Sequence, residues 1–149
     1  MSPFGILIGL GLACWSTIFL GYKKGWISRG DIFEYAMNQL LNGCDSERVA
    51  IIAGGEYLSD EELLDVISKQ IEATNCVTEM DKWRLAFLLC IDGSKDSNEN
   101  KIERLQEIYA DFDYPEDMAS CSVYSQDCVG PLVAMSQVLK GLRERLLLR

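Results

Sequence analysis

Residues Ser28 to Gly43 read SRGDIFEYAMNQLLNG, and this stretch decides the fold class. Ser28 is a helix cap: its hydroxyl can accept from an orphan N–H of the first turn. Behind it, Ile32, Phe33, Ala36, Leu40 and Leu41 recur at steps of one, three and four, the period of one helix face. Gly43 follows the last of them, where helices commonly stop on a residue with positive φ.

The same grammar extends in both directions. Asp45 or Ser46 can cap a short helix through Val49, Ile51 and Ile52, closed by Gly54-Gly55. Ser59-Asp60-Glu61-Glu62 is a capping box, with Leu63, Leu64, Ile67 and Ile71 as the stripe behind it. A helix from about Thr78 carries Trp83, Leu85, Ala86, Leu88, Leu89 and Ile91 and is apolar nearly all round, which marks it as central. The polar run Asp92 to Asn98 is a loop. Ile102, Leu105, Ile108 and Tyr109 form the next stripe. Asp113 reads as a cap and Pro115 as the first turn of a further short helix. Tyr124 to Gly130 reads as a loop, and a last helix follows Pro131.

No convincing period-2 strand occurs. The expectation is one all-α domain over residues 1–149, a compact bundle or a short stack of helical hairpins with about seven to eight helices.

Residues 1–22 form an apolar first helix or hairpin and carry no charged side chain. Pro3 to Tyr22 is 20 residues long, enough to span a bilayer, and Lys23 and Lys24 flank it. The globular alternative is a buried helix or hairpin. Gly5, Gly9, Gly11 and Gly21 weaken one long helix in water.

The net charge is −9. Between Asp31 and Asp127 lie 22 acidic and 7 basic side chains, a local net of −15, while both ends are basic. A phosphate backbone would be repelled, so nucleic acid is not an expected ligand. The same field favours a basic protein partner. The bland alternative is acidity for solubility alone.

The chain has no histidine, the commonest general base and transition-metal ligand. Its six cysteines show no C-x-x-C spacing and several sit in apolar helical patterns. Reduced thiols in a cytoplasmic protein are expected, with no disulfide, cofactor or zinc site. There is no P-loop and no G-x-G-x-x-G. No catalytic residue is assigned and no enzyme is expected.

Two acidic clusters remain. One is Glu56, Asp60, Glu61, Glu62 and Asp65, beside Tyr57. The other is Asp111, Asp113, Glu116 and Asp117, beside Tyr114, with Glu107 one turn back. Neither has the ligand spacing of a calcium loop, so no metal is assigned. Carboxylates with exposed aromatics suit a partner interface, and these eleven residues (Glu107 aside) are the candidate binding residues.

Three blocks in order carry a family resemblance: Trp15-Ser16-Thr17-Ile18, Gly21-Tyr22-Lys23-Lys24-Gly25-Trp26-Ile27-Ser28, and Asp31-Ile32-Phe33-Glu34-Tyr35-Ala36. Lys82-Trp83 and Tyr109 to Pro115 follow. The pattern resembles a bacterial family of small helical proteins catalogued as a domain of unknown function. Some relatives look like immunity proteins of contact-dependent or polymorphic toxin systems. The resemblance implies that Trp15 to Tyr22 belongs to the folded domain, which weighs against a membrane span. It also implies a cytoplasmic immunity protein that covers the C-terminal domain of a cognate toxin, a basic nuclease, with acidic side chains. The alternative expectation is a membrane-anchored helical interaction module.

Overall fold

Serine caps set most of the helix starts. The computed structural model describes residues 2–71, 75–126 and 129–147. Asp127, Cys128 and Arg149, all read above as part of a charge or cysteine pattern, lie outside the described residues. The described chain is all-α: α1 Pro3–Gly9, α2 Trp15–Lys23, α3 Arg29–Leu41, α4 Glu47–Ala53, α5 Asp60–Ser68, α6 Cys76–Asp92, α7 Asn98–Asp111 and α8 Pro131–Leu147. Two 3₁₀ segments, Gly55–Tyr57 and Glu116–Cys121, complete it.

Ser2, Ser28, Ser46, Ser59 and Ser97 each accept a hydrogen bond from the backbone N–H three residues on. At Ser28 and Ser59 the residue three ahead, Asp31 or Glu62, reaches back to the cap backbone. Each cap is worth about 1 kcal/mol.

The apolar N-terminal run is two helices rather than one. Gly11 adopts φ 73°. Its N–H donates to the Ile8 carbonyl, and the N–H of Leu12 donates to Leu7. This left-handed stop ends α1 after seven residues. Among the described residues no helix is long and apolar enough to cross a membrane.

The chain divides into two compact units. The inserted unit is Ala13–Glu79. Within it, α4 packs on α3, and α5 packs on α2 and α4. Ile18, Ile32, Ala36, Ile52, Leu63 and Ile67 are fully buried there. Ile71, expected on the α5 stripe, falls beyond the end of that helix.

The terminal unit is Met1–Leu12 with Met80–Arg149. Its core is the α6 face Leu85, Leu88 and Ile91, met by Leu105, Met118, Cys121 and the α8 stripe Met135, Leu139 and Leu142. Four rings lie in series beside it: Phe4 on Trp83, Trp83 on Phe87 and Phe87 on Phe112, with centroids 6.2, 6.2 and 6.0 Å apart. Trp83 is completely buried, as its place in a helix apolar nearly all round predicts. Cys14, Cys44, Cys76, Cys90 and Cys121 are thiols, not disulfides.

Candidate functional site

The turn that ends α7 differs from its counterparts. In α1, α2 and α3 the second residue past the helix is Gly11, Gly25 or Gly43, each with positive φ. Paired backbone bonds from that glycine and its successor close each end. The end of α7 has the same bonds: Asp113 N–H to Ala110 O at 3.1 Å and Tyr114 N–H to Tyr109 O at 2.9 Å. Here, however, the glycine position holds Asp113, at φ 62°. Tyr114 follows at φ 53°. Asp113 is therefore not the cap of a following helix. The residue before the next segment is Pro115, and that segment is 3₁₀.

Left-handed backbone costs an L-residue about 1 kcal/mol or more, although aspartate tolerates it better than most. Asp111 ends the helix and Asp113 lies just past it, so two carboxylates face the negative end of the helix dipole. That is unfavourable by a few tenths of a kcal/mol each. Tyr114 leans edge-on against Tyr109, centroids 5.0 Å apart, and stays 63% exposed.

Asp117, in the same cluster, has a different role. Arg84 is buried in the terminal unit and donates to Asp117 and, at 3.1 Å, to Asp81. Arg145 donates to the second oxygen of Asp81 at 3.2 Å. Two cations thus alternate with two carboxylates. A buried guanidinium needs such partners, and this network fixes Asp117 as structure.

The cluster in the inserted unit also sorts into fixed and unfixed groups. Arg29 spans the turn Gly55–Tyr57, donating to the Gly55 and Leu58 carbonyls at 3.1 and 2.5 Å and to Asp60 at 2.8 Å. The Tyr22 hydroxyl donates to the same Asp60 oxygen. The Tyr22 hydroxyl, and after it Arg29, hold the Asp60 carboxyl below its usual value. Glu62 closes the Ser59 capping box, and the Ser59 N–H lowers its carboxyl. Asp65 pairs with Lys69 at 3.0 Å. The turn so braced presents Glu56 and Tyr57 outward, Tyr57 at 80% exposure.

Of the eleven candidate residues, then, Asp60, Glu62, Asp65 and Asp117 already serve the fold. Glu56, Glu61, Asp111, Asp113 and Glu116 are exposed and, among the described residues, form no salt bridge. Tyr57 and Tyr114 stand exposed beside them. The two clusters belong to different units.

Two buried charges escaped the sequence reading. Arg84 is one. Glu79 is the other: it is 6% exposed and accepts from the Thr17 hydroxyl at 2.6 Å and from the Cys14 thiol at 3.8 Å. Glu79 meets Thr17, 62 residues away, and Arg84 meets Asp117, 33 residues away; only the Arg84–Asp81 pair, three residues apart, is local. Among the described residues, no group of three or more acidic or cysteine side chains is placed to hold a metal ion.

A family model described as an uncharacterized protein conserved in bacteria (DUF2247) matches residues 10–146. No curated protein and no solved structure matches the chain.

Proposed function

The chain belongs to that family of uncharacterized bacterial proteins, and from this premise we propose that it is a protein-binding module acting as an immunity protein. In this reading it occupies the C-terminal domain of a cognate toxin. The partner surface is basic, as that of a nuclease would be, and the exposed carboxylates and tyrosines cover it.

One observation carries the reading. The end of α7 departs from local preference three times: acids at a helix C-terminus, aspartate in a glycine position, and a left-handed tyrosine after it. Residues held against local preference cluster where a surface has a second task. The groups displayed there, a carboxylate pair and an exposed phenol, are those that dock on a cationic face. Glu56, Tyr57 and Glu61 offer the same chemistry on the inserted unit.

The test is co-purification of the tagged chain with the product of the adjacent upstream gene. A stable complex with a toxin-like C-terminal domain, lost in the Asp111→Lys/Asp113→Lys double variant, supports the reading. An upstream gene without such a domain, or a complex indifferent both to that variant and to Glu56→Lys/Glu61→Lys, refutes it.

A further inference from the structure

We propose that a cavity in the terminal unit, separate from the acidic clusters, binds a small amphipathic carboxylate. The cavity has a volume of about 510 Å³, within the range of small-molecule sites. Pro3 and Ile6 of α1 and Phe87 and Leu89 of α6 supply apolar wall. Ser94 and Arg104 supply the polar side.

The electrostatics choose the ligand. In a protein of net charge −9, the one charged side chain among the described residues lining this cavity is a cation, Arg104. Cys90 also lines it, and burial pushes that thiol up, so it adds no negative charge at neutral pH. Arg104 pairs with the Asp96 carboxylate through Nη1 alone, at 3.2 Å. A guanidinium has five N–H donors, so a face remains for a carboxylate. The Ser94 oxygen accepts from the Asp96 N–H at 3.0 Å, which leaves its own hydroxyl proton to donate. An acyl or aryl chain would lie against Phe87, Leu89 and Ile6, with its carboxylate at Arg104 and Ser94.

The test titrates the intact chain with octanoate and, separately, with octanamide, which has the same shape without the charge. Amide resonances of Leu89 and Ser94 report occupancy. Octanoate is expected to shift both and to bind the Arg104→Gln variant about tenfold more weakly, the loss of one charge-assisted contact. Octanamide is expected to bind both forms weakly and alike. Arg104 is half exposed and glutamine is a good helix former, so the variant should keep the wild-type circular dichroism. Arg104→Lys, which keeps charge but not the fork, should fall between the two. Octanoate that leaves Leu89 and Ser94 unmoved, binds Arg104→Gln as tightly as wild type, or is matched by octanamide overturns the proposal.

Discussion

Asp113 is where sequence preference and structure part most clearly. Glycine occupies the matching position at the ends of α1, α2 and α3, and its lack of a Cβ removes the steric cost of φ between 73° and 97°. Asp113→Gly should therefore raise stability by about 1 kcal/mol, or about 3 °C in melting temperature. If the carboxylate there serves binding, the same substitution should weaken partner affinity. Calorimetric melting together with a binding measurement checks both halves. A second residue-scale prediction concerns Cys121. Burial, with Asp117 nearby, pushes its thiol up to about 11. At pH 8 the folded chain should leave Cys121 unmodified by iodoacetamide while exposed Cys76 reacts, as peptide mass spectrometry would read. The residues of the α7 turn were legible in the sequence, but the role of Asp113 was not. Asp113 before Pro115 fits a helix start as well as a helix end, because aspartate tolerates both conformations.

At the scale of elements, most starts and stops could be read directly. The serine caps and Gly43 act on backbone within three residues, so their signal is local. The division of residues 3–22 into α1 and α2 was less visible, since an apolar run containing glycine suits a membrane helix and a broken pair equally. The positive φ of Gly11 decides it. Asp60 shows how a long-range contact alters a site reading. It looked like an interface acid, yet Tyr22, 38 residues away, and Arg29 hold it to the fold. Their support lowers its pKa, and a lowered carboxyl stabilises above its unfolded value and loses that contribution as pH falls through the folded one. Tyr22→Phe should thus melt below wild type at pH 6, and the gap should close as pH drops below about 4. A gap that is constant with pH would show that the hydroxyl does not act through Asp60.

Across the whole molecule the acidic charge is unevenly used. Of the nine candidate carboxylates, Asp60, Glu62 and Asp117 brace a turn, a cap and a buried arginine, and Asp65 pairs with Lys69 on the helix surface. The five others project from the surface without a salt bridge among the described residues. Composition alone suggested an acidic surface but could not divide it, because the division depends on which cation each carboxylate meets after folding. A binding role for the remaining five implies attraction that added salt screens. The most direct measurement is the affinity of the purified chain for the C-terminal domain encoded by the adjacent upstream gene, by titration calorimetry from about 0.05 to about 0.5 M sodium chloride. The account predicts tight binding that weakens steadily with salt and weakens further in the Asp111→Lys/Asp113→Lys variant. Absence of binding at the lowest salt, or an affinity unchanged by both salt and charge reversal, would contradict it.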